Sequence, residues 1–174
     1  MKTTTSLLTK MAVLVAIGTL SSHLLAIPTG LAKAFPIQHA INVIAAVLLG
    51  PIPAVLVAFM IALLRNLLGV GTLLAFPGGM IGALLAGLLY QRIRQHWSAA
   101  VGEVVGTGII GSLAAVPFAM LFMGQAVGMF AFLPAFLVST LFGAAIGWVV
   151  VGLLKKGGLG ESRPDHSPTL HKNR

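Results

Sequence analysis

The sequence predicts an all-α integral membrane protein, folded as a bundle of six transmembrane helices with both termini in the cytoplasm. Apolar residues make up 57% of the chain and charged residues only 8%, against about 25% charged in a typical soluble domain. The apolar residues form six runs, separated by Pro, Gly or charged residues. The 11 Lys and Arg residues, against three acids, cluster between alternate runs and near the termini. This composition excludes an ordinary soluble domain.

The six helices are placed by these breaks, because a spanning helix needs ~20 mostly apolar residues. In chain order they run from Leu7 to Ile27, Ile37 to Gly50, Pro53 to Leu68, Gly78 to Tyr90, Ala99 to Met123 and Met129 to Leu154. The second, third and fourth would span only ~20 to 24 Å at ~1.5 Å per residue. Either they extend further, or their linking stretches enter the protein and line a cavity. Residues 1–156 form the membrane domain, and the Gly, Pro and charged residues of 157–174 predict a disordered cytoplasmic tail.

The orientation follows from the basic residues, which favour the cytoplasmic side of short loops. With six crossings, one side holds Lys2, Lys10, Arg92, Arg94, Lys155, Lys156, Arg163, Lys172 and Arg174. The other side holds Lys33, with Arg65 near the end of the third helix. We therefore expect a multi-pass protein of the plasma membrane, with loops 1 and 3 outside.

A secretory signal peptide is the alternative interpretation of the N-terminus. Lys2 and Lys10 precede an apolar run, and Ala32 and Ala34 follow it in an A-x-A-like arrangement. The run is longer than a usual signal core, and cleavage would leave an odd number of helices. A retained first helix is favoured.

Polar residues inside the predicted spans are the candidate site, because such residues are costly in a membrane and are functional by default. Gln38, His39 and Asn42 begin the second helix, and Arg65 and Asn66 end the third. Both sets lie toward the outer surface, so they can converge. A structural interpretation stays open, in which the arginine snorkels to the interface and the histidine and asparagine tie helices together.

The flanking loops add aromatic and hydrogen-bonding groups to this site. Lys33 and Phe35 lie before the second helix, and Thr72 and Phe76 follow the third. A few polar groups on an apolar background are typical of small-ligand pockets. We therefore expect loops 1 and 3 to line an external binding pocket.

Glu103 is the only acid within a predicted span. It lies about one turn into the fifth helix, close to Arg92 and Arg94 in the preceding loop. We expect it to pair with one of these arginines, while a proton or cation site and a simple interfacial position stay open.

Small residues at four-residue spacing predict close helix packing. They are Gly78, Gly82 and Ala86, Gly102 and Gly106, Gly143 and Gly147, and Ala12 and Ala16. Most are expected to be contacts inside the bundle. The first-helix pair, Ala12 and Ala16, is the one expected to contact another protein.

Several function classes are excluded or disfavoured. The basic residues form no stripe with aromatics, so nucleic acid is not an expected partner. The chain has no Cys, and therefore no disulfide, thiolate metal site or Cys nucleophile. No G-x-S-x-G, H-E-x-x-H or P-loop motif occurs, and nothing positions Ser139 beside a histidine, so no enzymatic activity and no cofactor are expected. Without a P-loop, an active pump would need ATP hydrolysis by another chain.

Three stretches carry a resemblance to a known family. AFPIQHAINVIAAVLLGP (Ala34–Pro51), RNLLGVGTLLAFPGGMIGALLAGLLY (Arg65–Tyr90) and GEVVGTGIIG (Gly102–Gly111) resemble ThiW. ThiW is the thiazole-specific substrate-binding (S) component of energy-coupling factor (ECF) vitamin transporters. The resemblance extends over nearly the whole chain up to the tail.

The resemblance implies a six-helix S component that captures hydroxyethyl-methylthiazole, a thiamine precursor, outside the cell. It further implies docking on a membrane coupling subunit driven by two ATPase subunits, and toppling in the membrane to release the ligand. Family members dock through Ala-x-x-x-Ala on the first helix, which Ala12 and Ala16 match, and cap the ligand with the loop at Pro28–Pro36. Nickel and cobalt members carry His after Met, whereas this chain has Lys2, so a metal substrate is disfavoured.

The ligand itself stays open at the level of sequence. A neutral thiazole alcohol would stack on Phe35 or Phe76 and hydrogen-bond polar groups. A phosphate ester would instead bind Arg65 and Lys33. An S component for another vitamin-like molecule, a stand-alone facilitator or channel, and a structural membrane subunit without a ligand are the alternative functions.

Overall fold

A computed structural model describes the backbone of residues 4–24, 27–28, 33–124 and 126–157, and the side chains of 4–21, 34–124 and 126–157. These residues form six helices: α1 Thr4–Leu24, α2 Pro36–Leu49, α3 Pro51–Leu67, α4 Ala75–Ile93, α5 His96–Met123 and α6 Leu133–Lys156. The middle of α5, Val104–Gly111, is π-helical. Between α1 and α2, Ile27–Pro28 pairs antiparallel with Lys33–Ala34. The predicted all-helical fold is confirmed.

Helix length divides the described bundle into long and short members. Three helices are long and apolar enough to cross a membrane: α5, α6 and the Thr4–Ser21 part of α1. The predicted shortness of α2 and α3 is confirmed, since they have 14 and 17 residues. The six-crossing topology therefore remains a prediction for the three shorter helices.

The fourth helix is longer than its apolar run predicts, at 19 residues. Pro77 lies in its first turn, where the missing N–H removes no intrahelical hydrogen bond. At the other end the helix continues through Gln91 and Arg92 and stops where Arg94 adopts a left-handed backbone with φ 62°. Polar residues can extend a helix beyond its apolar run. The helix predicted from Gly78 to Tyr90 is therefore three residues too short at each end.

The short α2 lies at the centre of the bundle and packs against α6, α4, α3 and α1. Nearly all of its residues from Pro36 to Ala46 are buried. Two glycines of α6 allow this close approach: a Cβ on Gly147 would lie 2.8 Å from the Cβ of Val43, and one on Gly143 would lie 2.6 Å from the Cβ of His39. The polar residues at the start of α2 are therefore held deep in the protein.

Small residues also form the interface between α4 and α5. A Cβ on Gly102 would lie 2.7 Å from the Cα of Ala86, and one on Gly106 would lie 2.7 Å from the Cα of Gly82. The two backbones are in direct contact, as small-residue interfaces in membranes allow. The predicted intramolecular role of these residues is confirmed.

One end of the bundle is basic. There Lys155 donates to the Tyr90 hydroxyl at 3.0 Å, and the rings of His96 and Trp148 stack 6.5 Å apart. The basic residues at this end are Arg92, Arg94, Lys155 and Lys156, all exposed. An apolar groove nearby is lined by His96, Trp148, Val149, Gly152, Leu153 and Lys156. We call this the basic end and the opposite one, where α3 finishes, the Arg65 end.

The outer surface of the bundle is strongly apolar. Leu20, Leu67 and Leu121 are 67%, 74% and 79% exposed, for example. Such a surface is suited to lipid, where apolar side chains lose nothing by exposure. On α1, Ala12 and Ala16 both belong to this exposed surface.

Candidate functional site

At the Arg65 end, a buried cation is held without an acid partner among the described residues. The Arg65 side chain is 1% exposed, and its Nη1 donates to the amide oxygen of Gln38. Its Cζ lies 3.7 Å from the centre of the Phe35 ring. We call these three residues the arginine cluster. A hydrogen bond and a cation–π contact orient the guanidinium, but neither supplies a negative charge.

The local backbone explains how the arginine cluster is assembled. Pro36 opens α2, and the N–H of the preceding residue, Phe35, donates to Ser139 Oγ of α6 at 2.8 Å. At the end of α3 the carbonyl oxygen of Arg65 accepts from the N–H groups of Val70 and Gly71, at 3.0 and 2.9 Å. Hydrogen bonds at helix ends thus hold the backbone of both Phe35 and Arg65 in place.

Next to it lies a second buried group, the glutamate cluster, formed by His39, Asn42, Glu103 and Thr107. Glu103 is fully buried, and its Oε1 is the common partner of the other three side chains. The distances to this oxygen are 2.7 Å from His39 Nδ1, 3.0 Å from Asn42 Nδ2 and 2.9 Å from Thr107 Oγ1. Because a carboxylate only accepts hydrogen bonds, the shared proton belongs to His39 Nδ1 whenever the carboxylate is ionised.

The hydrogen bonds of the glutamate cluster continue into the backbone of α4. Asn42 Nδ2 also contacts the carbonyl oxygen of Gly79 at 3.2 Å, and Thr107 Oγ1 that of Gly78 at 3.0 Å. Since Nδ2 contacts two acceptors, the amide orientation of Asn42 is determined. The hydroxyl of Thr107 has one proton for two acceptors and can serve only one at a time.

Three buried polar atoms of the two clusters have no hydrogen-bond partner among the described residues. They are Asn42 Oδ1, Arg65 Nε and Glu103 Oε2. Buried polar groups are normally satisfied, and each exception requires an explanation. Two acceptors and one donor are therefore left unsatisfied within the described part of the chain.

Glycines of α4 bring the two clusters together. A Cβ on Gly79 would lie 2.9 Å from Gln38 Nε2 and 4.0 Å from Asn42 Nδ2, so this glycine borders both clusters. A Cβ on Gly82 would collide with Thr107 Oγ1 and lie 2.6 Å from Glu103 Oε2. The unpartnered carboxylate oxygen thus faces the bare backbone of α4.

Comparison with known protein families decides the class of this protein. Residues 8–157 match the family described as "Thiamine-precursor transporter protein (ThiW)". The chain belongs to the ThiW family. Neither the curated proteins nor the solved structures searched gave a match. Family membership indicates a thiamine-precursor transporter, a membrane protein that handles a small-molecule ligand.

For this ThiW-family chain, the structure separates the predicted site residues into a buried and a peripheral set. Phe35, Gln38, His39, Asn42 and Arg65 belong to the two buried clusters. The peripheral set consists of Asn66, Thr72 and Phe76, whose contacts are with other residues.

The peripheral residues stabilise the turn after α3. Asn66 Nδ2 donates to the carbonyl oxygens of Ala62 at 2.8 Å and Thr72 at 3.1 Å. The side chain of Thr72 is exposed, and the ring of Phe76 lies 5.6 Å from that of Phe59. Their predicted role in binding stays untested.

Some predictions lie outside the described residues. These are the side chain of Lys33, most of the capping loop between Pro28 and Pro36, and the tail beyond Gly157. Of the loop, the structure describes only its ends, which pair as two short strands.

The predicted pairing of Glu103 with Arg92 or Arg94 is wrong. Both arginines are exposed, whereas the carboxylate is buried against His39 of α2. The sequence showed Glu103 to be an acid within a span and left a proton or cation site open as an alternative to pairing. Its partner was missed because it depends on the depth of α2 in the bundle.

Two further residues were not predicted as part of the site. Thr107 contacts the carboxylate of Glu103, and Ser139 anchors Phe35. Neither gives a strong sequence signal, because Thr and Ser are common in membrane helices. Among the described residues no group of three or more His, Asp or Glu could hold a metal.

Proposed function

We propose that the chain is the substrate-capture component of an ECF-type importer, which binds hydroxyethyl-methylthiazole on the outer side of the plasma membrane. A separate coupling subunit with two ATPase subunits then drives delivery inward. The observation that carries this proposal is the pair of buried polar clusters, which contain three atoms without a hydrogen-bond partner among the described residues. A structural subunit has no need of such atoms.

The chemistry of the clusters supports a small heteroaromatic ligand. The Phe35 ring offers an aromatic face. Where His39 donates Nδ1–H to Glu103, its Nε2 becomes an acceptor for a ligand hydroxyl. Arg65 Nε can donate to an acceptor on the ligand, and Asn42 Oδ1 can accept from a ligand donor. Phe35, Gln38, His39, Asn42 and Arg65 are the residues we propose to contact the ligand, with Asn66, Thr72 and Phe76 at its rim.

The exposed face of α1 supports a partner in the membrane. Ala12 and Ala16 lie four residues apart on this face and offer a flat strip to another helix. We propose this strip as the docking surface for the coupling subunit. The basic end of the bundle would lie in the cytoplasm, as the positive-inside rule requires.

Transport in cells that express the chain with and without an ECF coupling module tests the proposal. We expect uptake of labelled thiazole only when the module and ATP are both present. We also expect the chain to co-purify with the module. Ala12→Trp and Ala16→Trp should abolish co-purification and uptake while leaving thiazole binding unchanged. Ala145→Trp, at an exposed small residue of α6, is the matched control and should change neither.

Two outcomes would contradict the proposal. Uptake that needs neither ATP nor the module would indicate a stand-alone facilitator. Uptake and co-purification that survive both α1 substitutions would exclude this strip as the docking surface.

A further inference from the structure

The Arg65 guanidinium lacks a counter-charge within the described part of the chain. Its recorded partners are the neutral amide of Gln38 and the ring of Phe35. Its Nε is buried and has no hydrogen-bond partner. A cation this deeply buried is costly unless an anion or several acceptors compensate it. Something beyond these contacts must therefore stabilise it in the working protein.

The described residues supply no acid to Arg65. The chain has three acids, of which Glu161 and Asp165 lie in the C-terminal segment outside the described residues. The third, Glu103, accepts on Oε1 from His39, Asn42 and Thr107. Across residues 4–157, as far as they are described, the recorded ion pair joins Glu103 to His39 and not to Arg65.

The geometry of the guanidinium indicates what kind of group would fit. Nη1 donates to Gln38, whereas Nε has no hydrogen-bond partner among the described residues. A guanidinium edge binds the two oxygens of a phosphate or carboxylate in parallel, which a neutral hydroxyl cannot match. The Phe35 ring holds the plane of the guanidinium and so orients this edge.

From these observations we propose that the site takes an anionic substrate, the phosphate monoester of the thiazole alcohol, with its phosphate on the Nε edge of Arg65. This inference rests on the proposed function, because it names the form of the thiamine precursor that the same site captures. Burial of Arg65 to 1% exposure favours an enclosed soluble ester over the phosphate of a lipid headgroup.

Calorimetric titration of the purified chain in uncharged detergent tests the inference. The probes are the thiazole alcohol, its phosphate monoester, its carboxylate analogue and inorganic phosphate. We expect the ester to bind wild type at least 30-fold more tightly than the alcohol, and the carboxylate to lie between them. Arg65→Gln should lower the affinity for the ester at least tenfold more than the affinity for the alcohol, and so remove this preference. Arg65→Lys, which keeps the charge but not the planar edge, should retain only part of the preference for the ester.

A second measurement excludes a purely structural role for the arginine. If its charge is uncompensated, Arg65→Gln without ligand should unfold at a higher temperature than wild type, and the ester should raise the melting temperature of wild type only. Arg92→Gln, at an exposed arginine, is the matched control and should change neither affinity nor melting temperature.

Four results would overturn the inference. They are equal affinity for alcohol and ester, an ester preference that survives in Arg65→Gln, destabilisation of ligand-free Arg65→Gln, and displacement of the ester by phosphatidylglycerol. If neither thiazole form binds wild type at all, the proposed function itself fails, which is a separate outcome.

Discussion

At the scale of single residues, Glu103 is the centre of the polar interior. One of its carboxylate oxygens is hydrogen-bonded to three side chains, two from α2 and one from α5 itself. Inside a low-dielectric protein such a shared acceptor makes its donors interdependent. The network therefore fixes His39 and Asn42, two residues that we propose to contact the ligand.

Removing this carboxylate should destabilise the protein strongly. Glu103→Ala leaves buried donors without an acceptor, each costing about 1–3 kcal/mol. Thermal unfolding in detergent should show a large drop in melting temperature for Glu103→Ala and for His39→Ala. The melting temperature of the double variant should fall by clearly less than the sum of the two single decreases, because the residues are in contact.

Arg92→Ala is the control for this cycle, because the sequence suggested Arg92 as the partner of the glutamate. It should leave the melting temperature unchanged. Additive effects of His39→Ala and Glu103→Ala, or a large effect of Arg92→Ala, would show that the buried pair does not form.

The candidate site shows what single residues of a sequence can and cannot predict. Gln38, His39, Asn42 and Arg65 were recognisable because polar side chains in apolar runs are expensive. Their division into two clusters was not, because it depends on which oxygen of Glu103 and which glycines of α4 they meet. These are tertiary distances, and no sequence spacing encodes them.

At the scale of elements, the contact between α4 and α5 combines glycines with a π-helical segment. Val104–Gly111 follows directly after Glu103 and contains Thr107. Such π segments are rare and occur often at functional sites. This one was not predicted, because its three glycines and its apolar residues are equally compatible with an α-helix. The apolar runs predicted where helices lie, but not the path of the backbone within them.

A methyl group at this interface should be poorly tolerated. Gly106→Ala places a Cβ 2.7 Å from the Cα of Gly82, and backbone atoms cannot move aside as a side chain can. Overpacking of this kind costs about 1–3 kcal/mol. Gly128→Ala is the matched control, since no described residue other than its chain neighbours has an atom within 4 Å of the added Cβ. Equal melting temperatures for the two variants would contradict the close contact.

At the scale of the whole molecule, the bundle has a basic end and an Arg65 end, with a short central helix between them. Helix α2 has only 14 residues. Its polar first turns therefore lie at the same depth as Glu103, which is seven residues after the start of α5. The short helices that were difficult to place as membrane spans are therefore what puts a polar site inside the protein. From their shortness the sequence left two interpretations open: longer helices, or linking stretches that enter the protein and line a cavity.

The orientation of the molecule can be tested with single cysteines, because the chain contains none. Thr72→Cys at the Arg65 end should react with an impermeant maleimide in intact cells. Arg94→Cys at the basic end should react only after the cells are opened. Both positions are exposed, so accessibility is matched. Labelling of both from the outside would contradict the six-crossing topology.

The most direct test of the account is a calorimetric titration of the purified chain alone with hydroxyethyl-methylthiazole, its phosphate ester and thiamine. Capture without any partner is the defining property of a substrate-binding component. We predict saturable binding of at least one thiazole form at micromolar concentration or below, with thiamine binding more weakly. Binding of thiamine above both thiazole forms would contradict the proposed substrate, and failure to bind any of the three would contradict the capture function itself.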